Sequence, residues 1–583
     1  MCGIIGFIDK KKQLSVNERK VLMNKMLCEI SYRGRDASGV YENDGVVIGH
    51  NRLAILDSSK KANQPLSTED GNLIISYNGE IFNHLEMRIK EFKYKTNSDT
   101  ETLLYAYKKY GKRVLESIRG MFAVSFYEPL QSSITLSVDR FAIKPLYYLD
   151  NKDWFAWSSE SKVFRHLKGF SFSLNKERLF EYGVFRVVAG TNTMFNNVYK
   201  LAPSEIIEYN IDRDRITQSK YPEYKDTSNQ DNLEQLLMQS VSEHILSDEP
   251  IGFQLSGGVD SSLISALAKR LLRQNDIHSF SIGLSDPKWN EFKYSREVSE
   301  LLGTKHHEIV FDQDYFCKNY PTTTYHLDEP VAYPNTVPMM LLSSVASNHV
   351  KVLLSGEGAD ELFGGYNRYK NFLTENNNKS IVYSNSFSNK INLLNFFKIK
   401  NTEINYRELI VNNMERKSVI QKLGSYDIET FLPSLLLRQD KMGMASTIEN
   451  RFPFLDPRLV DFALNLPDTQ KINDSESKAI LKFLASKYLP PSVVFREKCG
   501  FGLPISEWLK DPSGLGKYLQ FFTNPKIERV YLNYPNINKC IGEHLSNEKD
   551  NSEIIWILLS LELWTRIFID GQNPEGIWFS LEN

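Results

Sequence analysis

Near residue 212 the periodicity of the apolar residues changes, and this change limits the chain to two differently built units. Before it, short apolar runs recur between turn signals, as in 72–77, 121–127 and 133–138, the pattern of strands packed on a core. Helical spacing is confined there mainly to 17–30, where Val21, Leu22, Met26 and Leu27 share a side, and to 101–110, which follows the N-cap candidates Ser98 and Asp99. After it, strand-like runs alternate with longer helical ones: 251–255 then 261–272, 278–284 then 291–302, and 350–354 then a further helix. Such alternation predicts a parallel sheet with helices on both faces. Residues 212–231 are polar and charged and read as a linker between a unit spanning 1–211 and one spanning 232–583. The polar stretch 374–389 reads as a mobile surface insertion.

Composition narrows the function classes. The chain has 583 residues, too many for one core at about 150 residues per domain. Hydrophobic residues make up 41% and charged residues 24%, so a folded core can form. Seventy Lys and Arg stand against 72 Asp and Glu, so no overall field draws the chain to nucleic acid or an anionic membrane, and neither is expected as a partner. The longest apolar run, 554–564, is shorter than the roughly 20 residues of a membrane span and contains Glu562; it reads as a buried helix. The N-terminal apolar run is short, lacks a preceding basic region and meets Asp9 at once, so a cytoplasmic location is expected. Five scattered cysteines, without a CxxC pair, argue against a disulfide framework or a cysteine zinc site.

One of those cysteines is Cys2. Once Met1 is removed, Cys2 carries a thiol and a free α-amine on one residue. An α-amine with a pKa near 8 can take the thiol proton at neutral pH, giving a nucleophile that needs no histidine. By itself a cysteine at position 2 reads more often as a small buried residue. It is followed, however, by Arg33-Gly34-Arg35-Asp36, by 50–55 (HNRLAI), by 77–84 (YNGEIFNH) and by 98–101 (SDTE). In this order the segments resemble the class II glutamine amidotransferases, the N-terminal-nucleophile group that hydrolyses glutamine to glutamate and ammonia. The resemblance implies Cys2 as nucleophile, with the Asn78 side chain and the Gly79 N–H as the oxyanion hole. It implies a glutamine pocket of Arg52, Leu53, Ala54, Ile55, Leu56, Asn78, Gly79, Glu80 and Asp99, in which Arg52 takes the α-carboxylate and Asp99 the α-ammonium. The family usually has RHRGPD where this chain has Tyr32-Arg33-Gly34-Arg35-Asp36 after Ser31, in a loop bordering that pocket.

The second constellation is 256–262 (SGGVDSS), between a strand and a helix. Backbone N–H groups and a helix N-terminus there make an anion site, and glycine allows close approach. It lacks the lysine of a GxxxxGK[ST] loop. It resembles the pyrophosphate loop of ATP pyrophosphatases, and 353–366 (LLSGEGADELFGGY) reinforces that likeness. The resemblance implies ATP contacts from Leu255, Ser256, Gly257, Gly258, Asp260, Ser261, Ser262, Ile282, Ser355, Gly356 and Tyr366. It also implies Mg²⁺ held by Asp260 and Asp360, Glu357 beside an acyl-adenylate, and Lys498 beside the α-phosphate.

Joined in this order, the two halves resemble the glutamine-hydrolysing asparagine synthetase family of the bacterial B type. The implied fold is an N-terminal-nucleophile αββα sandwich (α+β) followed by a doubly wound α/β domain with a parallel sheet. The implied partners are glutamine, ATP and aspartate, with room for a homodimer. Asn450 and Phe452 replace smaller residues of the family pattern, which keeps a different acceptor carboxylate, such as a sugar acid, as the alternative.

Overall fold

The computed structural model describes residues 2–222, 224, 232–272, 276–374, 380–387, 394–399, 402–415, 418–473, 476–497 and 502–581. The first unit is built on two antiparallel six-stranded sheets. One runs in the order β10-β8-β9-β1-β3-β2, with β1 Gly3–Asp9, β2 Ala37–Asn43, β3 Val46–Arg52, β8 Tyr147–Asp150, β9 Trp154–Ser158 and β10 Val198–Lys200. The other is β12-β11-β7-β6-β5-β4, with β4 Leu66–Ser67, β5 Ile74–Ile81, β6 Gly120–Glu128, β7 Ser133–Val138, β11 Glu205–Asn210 and β12 Arg215–Lys220. Ile4, Ile8 and Ile48 of the first sheet meet Ile74, Leu136 and Ile207 of the second in one buried cluster. Helix α1 (Val16–Glu29) covers the first sheet and α2 (Asp99–Tyr110) the second, completing the four layers. Ser15 and Glu18 form a capping box at the start of α1, and Ser98, one of the two N-cap candidates, accepts from the N–H of Glu101 at the start of α2.

The second unit holds a five-stranded parallel sheet, β15-β14-β13-β16-β17, from β13 Ile251–Gln254, β14 His278–Gly283, β15 Lys305–Val310, β16 Val352–Leu354 and β17 Glu449–Arg451. After the short α3 (Leu179–Phe185), helices α4 (Leu233–His244), α5 (Val259–Leu271) and α6 (Phe292–Leu302) pack on one face. Beyond α7 (Gln313–Leu327), α8 (Thr336–Ala346) packs on the other, and α9 (Ala359–Phe363) follows β16. This is the doubly wound arrangement that the alternation predicts.

Two expectations change. The segment 212–231 is not a linker throughout: β12 pairs with β11 from Glu205↔Lys220 to Asn210↔Arg215. It is an edge strand, exposed or half-buried at every position, so its sequence need not carry an apolar face. Of the stretch 374–389, residues 375–379 and 388–389 lie outside the described residues. The described part packs inward, with Val382 buried and the buried Asn385 donating to Asp427 and Thr430.

The run 554–564 lies within the helix Ser552–Phe568, buried from Ile555 onward. It joins the two units: Tyr182 donates to the carbonyl of Ile557 at 2.9 Å, and the Phe195 and Trp564 rings lie 4.7 Å apart. Among the described residues no helix is long and apolar enough to cross a membrane.

Candidate active site

Three strands converge at Cys2. It immediately precedes β1; its thiol donates to the carbonyl of Leu53, just past β3, at 3.8 Å; its backbone nitrogen donates to Asn78 Oδ1, on β5, at 2.8 Å. The Asn78 Nδ2 is buried and has no hydrogen-bond partner, so a free donor is left on the side chain that holds the Cys2 nitrogen. At Gly79 a Cβ would stand 2.0 Å from the Met121 carbonyl across the ladder, so only glycine allows the β5–β6 approach there. Burial pushes the Cys2 thiol up, opposed by its hydrogen bond to Leu53 and by Arg52.

Arg52 turns its guanidinium on the loop after β3. It donates to the carbonyls of Ser59, Leu56 and Asp57 and to Asn63 Oδ1, and so shapes the run Leu53, Ala54, Ile55 and Leu56. The loop is tied to the second unit as well, because Asp248 donates its N–H to the carbonyl of Ile55. Asp99 accepts from the Tyr77 hydroxyl and from the N–H groups of Ile81 and Thr100. Burial raises its carboxyl despite these donors. Glu80 is pushed well up by burial and by Glu449, with Arg451 at 3.6 Å. The Tyr32 hydroxyl donates to Glu160 and its ring meets His326 edge-on at 4.7 Å. It serves the contact between the units.

The second site lies at the C-terminal ends of β13 and β16. Gly257 has φ +72°, and a Cβ there would meet the N–H of Ser295 at 2.5 Å. Ser256 and Ser261 hydroxyls lie 3.0 Å apart, and the Ser262 hydroxyl is buried without a partner. A Cβ on Gly356 would stand 2.6 Å from the Ser261 nitrogen, so this loop, which begins at Ser355, packs directly on the start of α5. Asp260 and Asp360 open α5 and α9, and the Lys478 ammonium bridges them at 2.6 and 2.7 Å. Two hard carboxylates held around one cation suit Mg²⁺. Lys478 escaped the sequence reading because it lies more than 100 residues from either aspartate; the signal available was a lysine at φ +58°, visible only in the fold. Arg496 also reaches this loop, donating to the Gly257 carbonyl at 2.9 Å. Lys498 lies outside the described residues.

Leu255 lies inside the apolar core and Ile282 is half-buried against neighbouring clusters. The Tyr366 hydroxyl donates to Glu361, beside Asp360, and Glu361 is pushed up to about 8 by burial and then by Asp360. Glu357 accepts from Arg438 at 3.2 Å and Gln439 at 3.1 Å.

One wall separates the sites. On the helix Leu432–Met444, Arg438 and Gln439 hold Glu357, whereas Asp440 accepts from Arg33, which also donates to the Cys2 carbonyl. On β17, Glu449 lies close enough to raise the Cys2 thiol, and Asn450 accepts from Gln254. Asn450 bonds Gln254 and Gln439, and Phe452 is in the apolar core. Below them Glu160, Lys162, Asp328 and Lys441 form a fully buried ion cluster. Such charges tolerate burial only when paired.

The fold and sites together define a two-domain enzyme in which a glutamine amidotransferase unit serves a nucleotide-using α/β unit. Family profiles agree, matching a glutamine amidotransferase domain over 1–222 and asparagine synthase over 232–566. The second match spans more than half of the chain, and the chain belongs to the asparagine synthase family. The Bacillus subtilis (strain 168) glutamine-hydrolyzing asparagine synthetase 1 is 29% identical over 630 residues, covering 99% of this chain and 98% of the relative. A putative asparagine synthetase of Mycobacterium tuberculosis (strain ATCC 25618 / H37Rv) is 29% identical over 645 residues, covering 98% of each. Asparagine synthetase B of Escherichia coli (strain K12) is 29% identical over 523 residues, covering 85% and 81%. The enzyme class is that of ATP-dependent carbon–nitrogen ligases that take nitrogen from glutamine.

Proposed function

We propose that the chain converts aspartate, glutamine and ATP to asparagine, glutamate, AMP and pyrophosphate. The observation that carries this reading is the wall of 432–444 and β17, which touches both the surroundings of Cys2 and Glu357.

With Met1 removed, the nitrogen bonded to Asn78 Oδ1 is an α-amine, which takes the thiol proton as Sγ attacks the carboxamide carbon of glutamine. The oxyanion accepts from Asn78 Nδ2 and the Gly79 N–H, the arrangement that stabilises a tetrahedral intermediate most. Ammonia leaves, and water cleaves the thioester to glutamate. Arg52 and Asp99 are assigned the α-carboxylate and α-ammonium of glutamine.

In the second unit, N–H groups of 256–262 and the start of α5 hold the phosphates. Asp260 and Asp360 would hold Mg²⁺, which when bound neutralises charge on the departing pyrophosphate. Lys478 adds a cation at the same place, and Lys498 keeps its assignment beside the α-phosphate. The aspartate β-carboxylate attacks the α-phosphorus, pyrophosphate leaves and an acyl-adenylate forms. Ammonia attacks its acyl carbon, Glu357 takes the proton shed, and AMP departs. A closed internal path between the two sites would keep ammonia from being protonated in bulk water.

The test is incubation with ATP, Mg²⁺ and glutamine, with and without aspartate, and identification of the amide by mass. Asparagine and aspartate-stimulated pyrophosphate release are expected; glutaminase turnover without asparagine overturns the reading. Cys2→Ala should lose glutamine-dependent synthesis and keep synthesis from ammonium salts.

A further inference from the structure

We propose that His278, His307 and His349 form a binding site for a divalent transition-metal ion of the zinc type, at the N-terminal end of the parallel sheet. The nucleotide loops follow β13 and β16, at the opposite end of the same sheet.

The placement follows from strand geometry. Along β14 and β15 the register pairs His278 with Lys305 and Phe280 with His307. Side chains alternate between faces, so His278, Phe280 and His307 share one face while His306 takes the other. Accordingly the His306 ring is occupied by the hydroxyls of Ser279, Ser281 and Ser295. Helix α8 covers the face that carries Phe280, through Leu342 and Ala346. Its C-terminal turn, closed by the His349 N–H donating to Ala346, brings His349 over the two strand histidines.

One ring nitrogen from each histidine lies within 4.8 Å of the others, and His278 Nδ1 is 2.8 Å from His307 Nε2. His349 stacks at 4.6 Å on the first ring and 4.5 Å from the second. Zinc–imidazole bonds of about 2.0–2.1 Å in a tetrahedron require nitrogens roughly 3.4 Å apart. The two nitrogens must part by about 0.6 Å, which breaks their hydrogen bond and turns the rings, now 15° from parallel, toward one ion, and the exposed His349 can close from solvent. Three imidazoles select zinc, nickel, copper or cobalt over Mg²⁺, and a water can complete the sphere. Lys305, on the same face, is neutralised by Asp276 at 3.0 Å. The bound ion would tie β14 and β15 to the turn between α8 and β16, a structural role.

Tag-free full-length protein, stripped with chelator and free of ATP, is titrated with Zn²⁺, Co²⁺ and Mg²⁺. One equivalent of Zn²⁺ should bind and raise the unfolding temperature, Co²⁺ should give visible bands of a tetrahedral ion, and Mg²⁺ should do neither. His349→Ala and His307→Ala should each weaken Zn²⁺ at least tenfold, with ammonium-dependent synthesis unchanged in His349→Ala. Absence of stoichiometric binding overturns the proposal, as does binding kept in both histidine variants or lost in Cys2→Ala.

Discussion

Asn78 divides its amide between two tasks. Oδ1 accepts from the Cys2 nitrogen, which turns Nδ2 toward a buried position without a partner. An unmet buried donor costs about 1–3 kcal/mol, a cost relieved when an oxyanion arrives. Asn78→Ala is therefore expected to lower glutamine-dependent turnover by about 10²–10³, the effect of losing one oxyanion donor, with ammonium-dependent synthesis preserved. Parallel assays with glutamine and ammonium check this, and an equal loss in both would mark Asn78 as structural. Cys2, Asn78 and Asp260 stood out in the sequence because each sits in a local run of recognisable chemistry. Lys478 did not, since its meaning depends on two aspartates far from it in the chain.

The loop after β16 and the start of α5 form a unit through backbone contact. Gly356 leaves no room for a Cβ beside Ser261. Gly356→Ala should push the loops apart, an overpacking cost of about 1–3 kcal/mol, and raise the KM for ATP in pyrophosphate release. Glutaminase turnover should not change; a loss there would mean that the strain spreads through the wall. Helices α1 and α2 and strands β6, β7, β13 and β14 were legible from period and caps. Strand β12 was not, because an edge strand can be polar on both faces.

The joining of the units makes stability depend on pH. His244, on α4, packs against Phe82 of the first unit with ring centroids 4.0 Å apart and planes tilted by 36°, and its Nδ1 faces the Ser240 carbonyl at 2.8 Å. Burial depresses it from 6.5 to about 4. The unfolded chain takes up this proton as pH falls through about 6.5, whereas the folded chain does not until about 4. The contribution is thus full above 6.5 and shrinks at up to about 1.4 kcal/mol per pH unit in that window. His244→Gln, which cannot titrate, should lie closer to the parent in unfolding temperature at pH 5.5 than at pH 7.5. An equal gap at both values would count against a neutral His244.

The change of period already specified two units, one sheet-rich and one of alternating strands and helices, because strand and helix signals are local in the chain, while the motifs around Cys2 and 256–262 implied their chemistry through resemblance to known families. Folding alone decided which distant groups meet: Lys478 between Asp260 and Asp360, the wall of 432–444 and β17, and His278 and His307 beneath His349. Those contacts come from sheet register and helix packing, whose partners are set by burial across the whole core and leave no spacing rule in the sequence.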